Sequence, residues 1–141
     1  MNPFSVTVER KVEFFDVDPM RVVWNGRYFD YFECARSALL DALSIPYETL
    51  AEGGLMLYVV RNEAKYIHPV RLHDTILIKA VLREWDYLIR IAYEVLDKRT
   101  GLLCTQGMSE QMPARISDGK ALMQLPEPYR QNIAKRLENQ T

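Results

Sequence analysis

One stretch of this sequence, Tyr28 to Leu43, carries the period of a long helix, and four later stretches carry the character of strands. Phe32, Ala35, Leu39 and Leu43 recur at three- and four-residue steps, while Asp30, Glu33, Ser37 and Asp41 form a polar stripe. Tyr31, Cys34, Ala38 and Leu40 make most of the remaining surface apolar, so this helix must be covered on more than one side. Pro46 ends it, and Tyr47 to Glu52 reads as a short helical turn closing at Gly53-Gly54. Leu55 to Ile67, Thr75 to Trp85, Tyr87 to Leu96 and Leu102 to Ile116 are then rich in Ile, Val, Leu, Tyr and Thr. An earlier strand, Ser5 to Phe15, alternates Val6, Val8, Val12 and Phe14 with Thr7, Glu9, Lys11 and Glu13. Glu84 to Asp86 must hold a tight reversal or a bulge, and Pro113 places the last strand at an edge or bulge. After Pro126 and Pro128, Tyr129 to Glu138 reads as a short amphipathic helix, giving an appendage over about 126–138. The order of strand, loop, long helix and four strands predicts an α+β fold in which one antiparallel sheet wraps the helix.

A chain of 141 residues predicts a single domain, 1–141, with one core. Its 18 basic and 19 acidic residues leave a net charge of -1, which removes the broad basic field that nucleic acid or an anionic membrane would require. Met1 to Val12 has no signal-like apolar block, and no apolar run approaches the ~20 residues of a membrane-spanning helix. Cys34 and Cys104 form no CxxC pair and are read as small buried hydrophobes, so a reducing, cytoplasmic setting is expected. His68 and His73 have only Asp74 as an obvious companion, too few ligands to predict a metal. Neither GxxxxGK[ST] nor GxGxxG occurs, which leaves nucleotide and dinucleotide chemistry without support, and no cofactor is predicted.

The chemistry is concentrated at Phe15-Asp16-Val17-Asp18-Pro19, followed by Val22-Val23-Trp24-Asn25-Gly26 and the start of the long helix. Asp-x-Asp-Pro is an ordinary turn sequence, and spacing alone assigns it nothing more. Asp18, however, precedes an apolar stretch whose desolvation would make a carboxylate a usable base or nucleophile. The N–H groups at the helix start could in turn bind a developing oxyanion.

The segment FFDVDPMRVVWNGRYFDYFECARSALL resembles the signature of hotdog-fold acyl-CoA thioesterases of the 4-hydroxybenzoyl-CoA thioesterase type. The match is dense over residues 14 to 40, and Tyr66-Ile67-His68-Pro69 with Asp74 also fits, as does the order of elements. The resemblance implies hydrolysis of an acyl-CoA or acyl-carrier-protein thioester. Asp18 would be the catalytic carboxylate, acting as base or nucleophile, and Asp16 a loop organiser. It further implies that the backbone N–H of Asn25 polarises the carbonyl, and that Trp24, Gly26 and Tyr28 contact substrate. Asn25 departs from the His or Tyr common there and cannot act as an acid or base near neutral pH. That departure motivates an alternative, an acyl-binding or scaffold protein with little turnover; a hotdog dehydratase is a third reading. His73 is a second departure, standing where a Gly often precedes the acid. Arg61, Lys65, Arg71 and Arg83 are candidates for carrier phosphates, and Glu33 and Arg36 could pair with each other along the helix or with the polar edge of the sheet. Members of this family typically self-associate, so a homodimer or homotetramer with the site between two copies is expected.

Overall fold

The computed structural model describes residues 3–140; Met1, Asn2 and Thr141, at the ends of the expected strand region and tail, lie outside the described residues. The chain forms β1 (Ser5–Lys11), a single 3-10 turn (Phe14–Asp16), α1 (Arg27–Ala42), α2 (Tyr47–Glu52), β2 (Leu55–Tyr66), β3 (Thr75–Glu84), β4 (Ile89–Asp97), β5 (Leu103–Arg115) and α3 (Glu127–Glu138). The strands make one sheet in the order β1-β3-β4-β5-β2, every pairing antiparallel. This is the hotdog arrangement, with α1 held in the curve of the sheet.

The alternation along the strands decides where the core lies. Ile76, Ile78 and Ala80 of β3 face the same side as Ile89, Ile91, Tyr93 and Val95 of β4, all buried against α1. Each fully buried aliphatic side chain contributes about 1.5–3 kcal/mol of transfer free energy, so this face outweighs any helix propensity in the chain. From α1 come Tyr28, Tyr31, Phe32, Ala35, Leu39 and Leu40, spread around more than one side of the helix, as its double apolar face requires. Phe32 stacks on Tyr93 at 4.5 Å and sits so close to β5 that a Cβ on Gly107 would lie 2.3 Å from its ring.

Three sequence expectations are revised by packing. The first strand stops at Lys11 instead of reaching Phe15, because residues 14–16 turn into a 3-10 turn that sets up the loop beyond. Strand β5 is flanked by β4 and β2, so Pro113 does not mark an edge strand. It sits beyond Gln111, the last β5 residue paired to β4, where its carbonyl accepts from Leu122 N–H at 2.9 Å and no ladder donor is needed. Arg36, third, turns inward to the phenols of Tyr47 (3.0 Å) and the buried Tyr93 (3.2 Å) instead of pairing with Glu33 or with a polar edge of the sheet. The passage from β3 to β4 combines a register shift at Leu82/Glu84 with a short reversal, in line with the reading of Glu84 to Asp86.

At its far end α1 closes with Ser44 in the left-handed region (φ 63), its N–H on the Asp41 carbonyl and that of Ile45 on the Leu40 carbonyl. Asn132 and Arg136 of α3 hydrogen-bond to the Ser44 carbonyl and hydroxyl, which clamps this end of the helix. The opposite, N-terminal end of α1 is left for the site.

Candidate active site

Residues 16–24 fold into a small hairpin because Asp-x-Asp-Pro turns the chain and Val17, Val22 and Val23 extend it. Val17 bridges Val23, Asp18 N–H bonds to the Val22 carbonyl at 2.9 Å, and Trp24 N–H bonds to the Asp16 carbonyl at 2.9 Å. Val23 N–H continues to the Val70 carbonyl at 2.8 Å, and Val22 bridges Arg71, tying the hairpin to the segment after β2.

The two acids of the motif have separate environments. Asp16 is 1% exposed; its Oδ2 accepts the Glu13 N–H at 2.9 Å and its Oδ1 lies 3.3 Å from Arg27 Nε. Arg27, the first residue of α1, also donates to the Phe15 carbonyl at 3.0 Å and lies over the Phe15 ring. Asp16 thus organises the loop and locks it to the start of α1. Burial, with the Asp16 carboxylate as the next cause, pushes the Tyr31 phenol far above its ordinary range. Asp18 is half-buried, and its Oδ1 accepts Met20 N–H at 2.9 Å, an Asx turn that holds the carboxylate at the hairpin tip. Arg21, next in the turn, adopts φ 63, a left-handed conformation that costs a non-glycine residue about 1–2 kcal/mol.

Trp24 to Arg27 forms a turn that runs straight into α1, closed by Arg27 N–H on the Trp24 carbonyl at 2.9 Å. Gly26 precedes the helix without a side-chain cap. The N–H groups of Asn25 and Gly26 bond to no acceptor among the described residues, leaving two adjacent donors at the positive end of the helix dipole. The Trp24 ring lies on Gly26, where a Cβ would fall 2.4 Å from it, and the indole remains 60% exposed.

Beside the first turn of α1 is a cavity of about 210 Å³ lined by Val22, Val23, Asn25, Tyr28, Tyr66, Ile67, His68 and Pro69. Tyr28 and Tyr66 meet edge to face at 5.2 Å, and burial raises both phenols above their ordinary value. Of the residues expected from sequence, Asn25 and Tyr28 line this cavity, while Asp18, Trp24 and Gly26 belong to the hairpin and turn that flank it. From sequence Tyr66 has no site role of its own and His68 reads as a loop residue; both line this cavity, and the Tyr66 hydroxyl donates to the Asn25 carbonyl at 2.9 Å across 41 positions. The apolar Val22-Val23 pair and the Tyr66-Ile67-His68-Pro69 turn were the available signals.

The remaining candidates are placed elsewhere. Arg61 is engaged by Glu63 and Glu110, whereas Arg71 stands next to the hairpin. Cys104 is buried and its thiol is pushed up by desolvation; Cys34 is only partly buried and takes Arg10 Nη1 at 3.0 Å. Among the described residues no three His, Cys, Asp or Glu side chains cluster as metal ligands, and no helix is long and apolar enough to cross a membrane.

Residues 12–133 match the family model of the thioesterase-like superfamily. Two relatives are 4-hydroxybenzoyl-CoA thioesterase of Pseudomonas sp. (strain CBS-3), 25% identical over 57% of this chain, and acyl-CoA thioesterase YbgC of Haemophilus influenzae, 32% identical over 59%. Each alignment spans 60% of the relative's own length. A solved DHNA-CoA thioesterase of Staphylococcus aureus superposes with a TM-score of 0.86 over 95% of this chain and 91% of that one, at 19% identity. The fold is that of the hotdog thioesterases, and residues 12–133 carry the family's sequence pattern along it. The chain belongs to the thioesterase-like superfamily.

Proposed function

We propose that this protein hydrolyses an acyl thioester of coenzyme A or of an acyl carrier protein to a free acid and a thiol, with Asp18 as the reacting carboxylate. One observation carries the reading: a single hairpin joins the half-buried Asp18 to two backbone donors at the start of α1 that have no acceptor among the described residues. As general base, Asp18 takes a proton from water while the oxygen attacks the thioester carbon. The oxyanion is held by the Asn25 and Gly26 N–H groups, and the C–S bond then breaks to release the thiol. As nucleophile, its oxygen forms an acyl anhydride with release of the thiolate; water then opens the anhydride, regenerating the carboxylate and supplying the proton that completes the thiol. Either route balances as thioester plus water giving acid plus thiol, with no need for the Asn25 side chain to titrate. Trp24, Gly26 and Tyr28 flank the reacting carbonyl, and the cavity beside α1 takes part of the acyl group or the pantetheine arm.

The working unit of this reading is a homodimer or a larger homo-oligomer. Strand β2 is an edge of the sheet twelve residues long, and Met56, Tyr58, Val59 and Val60 along it are exposed, a combination a lone soluble domain avoids. Phe14, Phe15, Met20 and Trp24 add an exposed apolar surface around the hairpin, where a second copy would complete the site. Two free cysteines favour a cytoplasmic setting. The reading is tested by free-thiol release from a panel of aromatic and aliphatic acyl-CoA and acyl-carrier-protein thioesters. Turnover of at least one is expected; release from none would contradict hydrolysis and favour an acyl-holding role.

A further inference from the structure

We propose that Tyr66 is a positioning residue for the oxyanion site, its hydroxyl aiming and polarising the Asn25–Gly26 peptide so that the Gly26 N–H acts with the Asn25 N–H on the thioester oxygen. The inference deepens the proposed function and rests on it.

The two peptides at the start of α1 have the same construction. The carbonyl of Trp24, in the peptide that carries the Asn25 N–H, accepts Arg27 N–H at 2.9 Å. The carbonyl of Asn25, in the peptide that carries the Gly26 N–H, accepts the Tyr66 hydroxyl at 2.9 Å. In both, the N–H has no acceptor among the described residues. A peptide is planar and trans, so fixing its carbonyl fixes its N–H in the opposite direction. Here that direction is off the N-terminal end of the helix, away from Tyr66. A donor on the carbonyl also draws charge through the amide, which strengthens the N–H as a donor in turn.

The Asn25 carbonyl has no helical donor, because Phe29 N–H bonds to the Gly26 carbonyl at 3.3 Å. Without Tyr66 this peptide would be free to tilt. Tyr66 is well placed to prevent that, as the last residue of β2 with its ring against Tyr28, which is buried in the first turn of α1. Burial keeps the phenol protonated beyond its ordinary range, so the donor persists across the pH span of an assay. An oxyanion donor matters in proportion to how well it is preorganised, and a hydrogen bond removed from behind one should act on turnover more than on substrate binding.

The test uses Tyr66→Phe, which keeps the ring against Tyr28 and removes only the hydroxyl. A fall in kcat of about tenfold with KM held within about twofold is expected, since only transition-state interactions are weakened. With glycine labelled in 15N, the Gly26 amide proton is expected to move upfield while the other glycine amides stay in place. An unchanged kcat, or a kcat loss matched by a lower melting temperature with no movement of the Gly26 amide, would overturn the proposal. If Tyr66→Phe fails to fold, 3-fluorotyrosine at position 66, a stronger donor of nearly the same shape, should keep or raise kcat; a loss there would overturn it. Asp18→Asn, run alongside, separates the two levels. If it abolishes turnover while Tyr66→Phe does not alter it, the hydrolase reading stands and the role of Tyr66 falls. If Asp18→Asn leaves turnover intact, the underlying reading fails first.

Discussion

Replacing Gly107 with alanine adds one methyl group to the place where α1 presses on the sheet. The new Cβ would lie 2.3 and 2.4 Å from two ring atoms of Phe32 and 3.0 Å from the Glu63 carbonyl of β2. Phe32 is fully buried and stacked on Tyr93 with an interplanar angle of 9°, so its ring has nowhere to swing without breaking that pair. Overpacking of a sealed core costs about 1–3 kcal/mol. Alanine offsets about 0.5–1 kcal/mol of this, because glycine loses more backbone freedom on folding. The net loss, about 1.3 kcal/mol at the middle of these ranges, lowers Tm by roughly 4–5 °C for a domain of this size. Gly26→Ala is the internal control. Its Cβ meets the Trp24 ring just as closely, but that indole is 60% exposed and free to move, so the melting temperature should hold. Calorimetric or circular-dichroism melts of both variants decide the matter. If Gly107→Ala melts with the wild type, α1 does not seat on β5 through Phe32, and the packing that places the helix N-terminus is wrong.

Tyr93→Phe removes a buried hydroxyl shared by Arg36 and Ser109, leaving a guanidinium N–H without its acceptor, and should cost about 1–3 kcal/mol in urea unfolding. Burial raises the Tyr28 and Tyr93 phenols above the ordinary 10.0, so near that pH the unfolded chain sheds protons that the native state keeps. Their contribution is fully present below pH 10 and is lost as pH rises through the folded values, so the urea midpoint should begin to fall above about pH 10 and fall less in Tyr93→Phe. Lysine at Val60 on the open β2 edge should shift the sedimentation profile toward monomer and lower thiol release; an unchanged profile would put the self-association surface elsewhere.

The sequence made the architecture readable where local pattern and burial agree. The single helical period of residues 28–43 and the β-rich runs after Gly54 return as α1 and β2 to β5 within a few residues, because each buries the face its pattern marks. Pro113 is misleading in sequence because its effect depends on where β4 begins, at Ile89 opposite Gln111, a fact of pairing between strands that no local window contains. The first strand looks too long in sequence for a similar reason: Phe14 keeps the alternation, yet it lies in the 3-10 turn, 79% exposed. At the site, Asp16, Asp18, Trp24, Asn25 and Gly26 were legible together because they are adjacent in one segment. Tyr66 was not, since its hydrogen bond to Asn25 joins residues 41 positions apart, and neither were the Arg36 contacts to Tyr47 and Tyr93. These contacts exist only once the sheet has closed around the helix.

The central claim is that the carboxylate of Asp18 reacts, directly or through water, with a thioester carbonyl held at the start of α1. Free-thiol release by wild type and Asp18→Asn, on whichever thioester of the panel turns over fastest, tests it most directly. Asparagine preserves the size of the side chain and the oxygen that accepts the Met20 N–H, so the hairpin is retained while the base and nucleophile are lost. A fall in kcat of about 10² to 10⁴ with an unchanged melting temperature is the predicted result. Turnover that survives the substitution would show that the chemistry lies with another group.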